Sequence, residues 1–331
     1  MLLGWIRLEG LARPTMPTHT TAKKRSKSQL FVAEAKPCRQ ENDPLRFRMT
    51  RRSLMFRLVR GLIATFAAAY ALIIVALWYW QASFIFQPSP VVQTTPSDLG
   101  VKFEKVTLPI GNGHVAGWWV PSQDPHSATL LYSHGNANNV GSNAPEVVGF
   151  QKAGLNVFIY DYRGYGESTG GPPREKLAYE DAERAWTYLV SERRLPPATI
   201  AIYGHSLGSA VAVDLASRHP EAGALILEGV LASIADVAET MGVSRLLPVR
   251  LIVTERFDAI SKIGSVRIPT LILEGESDRP MTAQHVYDAA REPKQLALIP
   301  GGGHGDSAET NPTAYFAALN GFLAQHGVTG H

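Results

Sequence analysis

The sequence predicts an α/β domain built on a mostly parallel sheet and preceded by one transmembrane helix. Three observations predict it. The run Gly61 to Gln87 carries no charge and is long enough to cross a bilayer as a helix. Beyond it, short apolar runs of strand type alternate with stretches of helical periodicity, the pattern of parallel βαβ units. Two extended segments joined by Gly111-Asn112-Gly113 open that series, so an antiparallel edge is expected. The 331 residues suit one large domain or two small ones, and 45% apolar content is enough for a full core.

Residues 1–57 predict a disordered basic arm. Lys23-Lys24-Arg25 stand among Ser, Thr and Pro with no sustained periodicity. Residues 1–60 carry 14 Lys/Arg against 4 Asp/Glu, leaving 18 against 25 for the rest. The net charge of +3 therefore belongs to the arm. The mildly acidic remainder argues against a nucleic-acid-binding domain. Cys38, the single cysteine, excludes a disulfide within the chain and a cysteine-ligated metal site. Met49 opens a compact basic-then-apolar segment, so a start at Met1 or at Met49 fits the pattern.

Residues 58–87 predict an uncleaved signal anchor. The run lacks the polar face of an ordinary surface helix and is too apolar all round for a core helix of this chain. It exceeds the usual h-region of a cleaved signal, and Tyr79, Trp80 and Phe84 spoil small-x-small cleavage sites. Thr50–Met55 faintly resembles a twin-arginine signal, but Arg57 and Arg60 intervene before the apolar run. Arg46, Arg48, Arg51, Arg52, Arg57 and Arg60 precede the span, and no such cluster follows. The positive-inside rule places the N-terminus in the cytoplasm and the main domain on the extracytoplasmic side. Trp78, Tyr79 and Trp80 fit an aromatic belt at the exit face.

Residues 88–98, rich in Pro, Ser and Thr, read as a linker, and 99–331 as the main domain. Strands are expected near 102–110, 114–120, 128–133, 156–162, 199–204, 223–229, 269–275 and 295–300. Helices are expected near 143–153, 174–193, 206–218, 282–291 and 312–325. Leu177, Ala182, Ala185, Trp186 and Leu189 give 174–193 its apolar stripe. The stretch between the strands at 223 and 269 exceeds one helix, so 230–265 predicts a small cap insertion.

Gly204-His205-Ser206-Leu207-Gly208 carries the chemistry. A serine held on a sharp strand-to-helix turn has strained dihedrals, and side chains two positions to either side would collide with it. The turn lifts the hydroxyl clear and sets a helix N-terminus beneath the reacting carbonyl. An apolar strand precedes the motif and a helix of small residues follows. Such a serine needs a base, and the base an orienting acid. Asp278 follows one predicted strand and His304 the next, in the order Ser…Asp…His. His134-Gly135-Asn136 ends another strand, and the main-chain N–H groups of Asn136 and Leu207 are the expected oxyanion donors.

Residues of about 95–328 resemble the α/β-hydrolase superfamily. "HGNANN", "YDYRGYGEST", "GHSLG", "GESD" and "GGGHGD" stand in that family's order. With "GWWVP" and one N-terminal membrane segment, the set is similar to the membrane-anchored serine-aminopeptidase-like or dienelactone-hydrolase-like branch. The resemblance implies an eight-stranded, mostly parallel sheet, with Ser206 as nucleophile, Asp278 as acid and His304 as base.

Other readings stand beside these. Glu228 ends a strand where some members of the family carry the acid, and Asp306 lies close to His304. His134 is expected to brace the oxyanion loop rather than act as a base, and His205 to pack at the pocket floor. Tyr165 and His205 are the expected substrate-lining residues. Asp161 and Arg163 are expected to pair and hold their loop. The remaining histidines show no metal-ligand spacing. The expected function is a serine hydrolase of carboxylic esters or thioesters, acting on acyl or lipid-like substrates without cofactor or metal. A peptidase with the same triad and a catalytically silent membrane-bound binding module are the alternatives. Haloalkane dehalogenation needs a carboxylate where Ser206 stands.

Overall fold

Good helix formers start the first element earlier than the apolar run alone predicts. In the computed structural model, which describes residues 51–124, 126–278 and 280–328, α1 spans Arg51–Ile85. The arm up to residue 50, with Cys38 and Met49, lies outside the described residues. Arg, Leu and Met carry the helix from 51 rather than from 58. Pro88 ends it, because the residue before a proline is driven from the helical to the extended region. α1 is long and apolar enough to cross a membrane. The chain divides after Leu58, and Val59–His331 holds everything that follows.

Elements then come in the expected alternation. β1 (Gln87–Pro88), β2 (Glu104–Ile110), β3 (Gly113–Val120), β4 (Thr129–Ser133) and β5 (Ala137–Asn138) lead to α2 (Ala144–Lys152). β6 (Asn156–Tyr160), α3 (Glu175–Thr187), β7 (Ile200–His205), α4 (Leu207–Arg218) and β8 (Ala224–Glu228) form the centre. The cap follows as α5 (Ile234–Thr240), α6 (Val249–Ile252) and α7 (Ala259–Lys262). β9 (Thr270–Gly275), α8 (Pro280–Ala289), β10 (Lys294–Ile299), α9 (Ser307–Thr310) and α10 (Pro312–Gln325) complete the chain. The helix predicted over 174–193 ends its regular part at Thr187 and closes in a π-turn over Tyr188–Glu192.

Eight strands make one sheet in the order β10-β9-β8-β7-β4-β6-β3-β2. β3 pairs antiparallel with β2 and β6, and every other neighbour is parallel. The β2–β3 register pairs Ile110 with Gly113, so the hairpin turn is Gly111-Asn112 and Gly113 already belongs to β3. Side chains alternate across the sheet with period two. Leu131, Ile202, Leu225 and Leu227 face α3 and α4. Tyr132, Tyr203, Ala224 and Ile226 face α2 and α10. Each fully buried Leu, Ile, Val or Phe contributes about 1.5–3 kcal/mol, so both faces are needed to hold a sheet of this width.

The stretch read as a linker is fastened at its start. Gln87–Pro88 pairs in parallel with Ala137–Asn138. The Ser89 N–H donates to the Asn138 carbonyl at 2.9 Å, and the Asn139 amide donates to the carbonyls of Ser89 and Val91 at 3.0 and 2.8 Å. A two-residue bridge leaves no periodicity to read, which is why sequence reasoning missed it.

Candidate active site

β7 runs straight into α4 through Ser206, whose φ of +51° is in the region that side chains rarely occupy. The strain persists because its surroundings fix it. The Ser206 N–H donates to the Glu228 carbonyl at 2.9 Å. The Ser209 hydroxyl donates to the Ser206 carbonyl at 2.6 Å and accepts from the Leu231 N–H at 2.9 Å. Both flanking glycines are obligatory. A Cβ on Gly204 would lie 2.3 Å from the Gly208 carbonyl oxygen, and one on Gly208 would lie 1.9 Å from that of Ser133.

The loops after β9 and β10 bring the other two groups to Ser206. His304 Nε2 lies 2.9 Å from Ser206 Oγ, and His304 Nδ1 lies 2.7 Å from Asp278 Oδ2. In the neutral ring with hydrogen on Nδ1, the serine hydroxyl donates to Nε2 and Nδ1–H donates to the carboxylate. The Asp278 side chain is 7% exposed and that of His304 39%, so the acid is shielded while the imidazole is reachable. Asp278, His304 and Ser206 thus form one hydrogen-bonded line. Glu228 stands elsewhere: its carboxylate accepts from the hydroxyls of Tyr203 and Tyr315, the latter at 2.5 Å. Asp306 accepts from the Gly303 N–H at 2.6 Å and so closes the histidine's own loop.

Gly135 lies against Ser206, since a Cβ there would be 3.5 Å from the serine Cβ. The next residue, Asn136, is held from three sides. Its carbonyl accepts from the Gln87 N–H at 2.9 Å and the Tyr165 hydroxyl at 2.7 Å, and its amide donates to the Ile85 carbonyl at 3.0 Å. With its carbonyl turned toward these donors, the loop is fixed from behind. The Asn136 side chain was read only as part of a motif, and its tie to the end of α1 had no sequence signal.

Two expectations are corrected. Tyr165 is buried with its hydroxyl committed to Asn136, so it braces the loop instead of lining a substrate site. Asp161 does not pair with Arg163. Buried Asp161 accepts from the Val140 N–H at 2.9 Å and lies 3.3 Å from His134 Nε2. Arg163 turns to α3 instead, where its side chain meets buried Asp181 at 2.7 Å and Glu180 at 3.0 Å. His134 is buried, with Nδ1 donating to the Gly135 carbonyl at 2.7 Å, and the Tyr162 hydroxyl donates to the His134 carbonyl at 2.8 Å.

His205 packs beside the line, its ring centre 5.5 Å from that of His304. Burial first, then the neighbouring His304 and His134, lowers its pKa to about 3, so the ring is neutral. A cavity of about 610 Å³ lies at the end of α1, lined by Trp78, Trp80, Phe86, Pro173, Arg174 and Thr254 among others. None of the three aligned groups lines it. Its Phe86 wall packs edge-on against Tyr165, the residue that holds the Asn136 carbonyl.

Residues 124–256 match a family model described as serine aminopeptidase, S33. An uncharacterized protein of Mycobacterium tuberculosis is 32% identical over 273 residues, covering 81% of this chain and 96% of that one. The human alpha/beta hydrolase domain-containing protein 17B is 35% identical over 184 residues, 54% of this chain and 60% of its own. Among solved structures, a Pyrococcus furiosus esterase superposes with a TM-score of 0.60 at 19% identity, covering 73% of this chain and 98% of its own. An alpha-beta hydrolase from Vibrio vulnificus does so with 0.57 at 21% identity, covering 76% and 90%. At these identities the structural likeness is one of fold.

Proposed function

The chain belongs to the α/β-hydrolase superfamily, and from that premise we propose that it is a membrane-anchored serine hydrolase of carboxylic esters or thioesters. The observation that carries the reading is the Ser206–His304–Asp278 line, with contacts of 2.9 and 2.7 Å. Ser206 attacks the acyl carbonyl while His304 Nε2 takes its proton. Asp278 holds the ring in the tautomer that leaves Nε2 free to accept, and it stabilises the imidazolium. The main-chain N–H groups of Asn136 and Leu207 receive the oxyanion, and one such donor is worth roughly 3 kcal/mol in the transition state. His304 returns the proton to the leaving group. It then activates a water that releases the acid from the acyl-enzyme. The chemistry needs no metal or cofactor.

The α1 helix supports the anchoring, and the arginines before it support a cytoplasmic N-terminus with the site on the opposite side. A site held next to a bilayer favours lipid or acylated substrates.

A peptidase reading uses the same three groups, and the serine aminopeptidase description of the matching family model favours it. Turnover of aryl esters over a chain-length series, against aminoacyl amides, separates the two. The expected result is ester turnover that vanishes in Ser206→Ala, together with fluorophosphonate labelling of the wild type at Ser206. Equal hydrolysis by both proteins would end the assignment. Failure of folded wild type to label would favour a silent binding module.

A further inference from the structure

We infer that the edge of the cap, Met241–Leu251, is a second membrane-contacting surface, inserted into the acyl-chain layer of the leaflet on the exit side of α1. The inference rests on reading α1 as a bilayer span, and it adds a lipid-facing role for the cap that the catalytic reading does not require.

Four observations carry it. The first is a level. Tyr70 donates its hydroxyl to the Leu246 carbonyl at 2.9 Å. Tyr70 stands midway along the uncharged stretch between Arg60 and Trp80. The ten residues from Tyr70 to Trp80 make about 15 Å of helix, about half the hydrocarbon thickness of a bilayer. A cap residue bonded to α1 at that level shares the leaflet with it. Inside that layer a tyrosine hydroxyl needs a protein partner, and Leu246 supplies it.

The second observation is apolar exposure. Met241, Leu246 and Leu251 are 75%, 78% and 84% exposed. A single exposed leucine means little. Three large apolar side chains in eleven residues, beside a helix that is itself apolar and exposed, make one continuous greasy surface.

The third concerns the backbone. Peptide N–H groups that leave water need partners within the protein. Through the turn, Met241 donates to Val237, Gly242 to Glu239, and Leu246 and Leu247 both to Val243. In the following turn Leu251 and Ile252 donate to Pro248, and Val253 to Val249. The edge is a chain of closed turns rather than an open loop.

The fourth is charge. The Arg250 guanidinium is engaged by Asp236 at 2.9 Å and Glu239 at 2.7 Å, so this cation is paired within the protein, and the three groups together keep one negative charge beside the apolar edge.

The test uses the full chain in phosphatidylcholine vesicles. Cys38→Ser removes the native thiol, and a polarity-sensitive fluorophore is placed on Phe66→Cys, Leu246→Cys or Leu251→Cys. Phe66 is an exposed α1 residue and reports the span itself. The expected result is that labels at 246 and 251 lose at least half their emission to spin-labelled acyl chains and resist aqueous iodide, as the label at 66 does. If 66 is quenched by lipid while 246 and 251 answer only to iodide, the cap edge lies in water and the inference is overturned with the span intact. If 66 also answers to iodide, the span fails and the inference falls with it. Labels at 246 and 251 shielded from both quenchers, with energy transfer between differently labelled chains, would mean that a second copy covers the edge, which also overturns it. Two cap positions guard against a local distortion at either one, and no outcome depends on catalysis.

Discussion

Asp278 separates geometry from chemistry most cleanly. Replacing it by Asn keeps the size of the side chain and its contact with His304 Nδ1. The amide can now donate, which favours the tautomer with hydrogen on Nε2, where the Ser206 proton must go. Asp278→Asn is therefore expected to lower kcat by roughly 10,000-fold with little change in thermal unfolding. Steady-state ester kinetics beside a melting curve check both halves. That Ser206, His304 and Asp278 meet was legible because each sits at a strand end beside glycines, a pattern that leaves a mark in the sequence. Asp161 and Arg163 were misread because two charges two positions apart look paired on paper. The chain turns between them, and each finds a partner from another element. Tyr165 was misread for a similar reason, since an aromatic in a loop looks exposed until the packing of Phe86 against it is known.

At the scale of elements, alternation predicted the strands well, because strands buried on both faces carry unbroken apolar runs. The boundary of α3 and the pairing of β1 with β5 escaped. The first depends on where a helix tightens or loosens, the second on two residues from distant parts of the chain. Yet that short pairing bears on the site, because it joins the end of α1 to the loop of Asn136, whose N–H is the proposed oxyanion donor. Asn136→Ala keeps the main-chain donor and removes only the bond to the Ile85 carbonyl. It is expected to lower kcat by about 10-fold or more while KM changes little, since a displaced donor fails the transition state before it fails the substrate. A change confined to KM would instead place Asn136 at the substrate.

For the whole molecule, the buried carboxyls set the response to pH. Glu146 lies 2.8 Å from the Tyr203 hydroxyl, which donates to Glu228, and accepts from that of Tyr132. Burial first, then the charge of Glu228, raises its pKa from 4.5 to about 8. Burial raises Glu228 as well. The folded state keeps the Glu146 proton up to about pH 8, whereas the unfolded chain releases it near 4.5. Unfolding therefore releases a proton between those values. The stability this group contributes is full below the lower value and is lost as pH rises through the upper one. Glu146→Gln, which retains an acceptor for the tyrosines, is expected to flatten the fall in urea midpoint across that window. An unchanged slope would assign it to other groups. None of this was visible beforehand, because Glu146 lies on a helix and Glu228 on a strand, and only the folded sheet brings them together.

The fastening of residues 86–91 has a mechanical consequence. A catalytic body on a loose tether could swivel and sweep a wide shell above the lipid. Here the chain passes from α1 directly into the two-residue pairing of β1 with β5, on the loop that follows β4, so on the proposed function the direction of α1 also aims Ser206. On the proposed anchoring, the serine would have a fixed altitude and bearing, and a substrate would come within that narrow reach by travelling in or along the membrane plane.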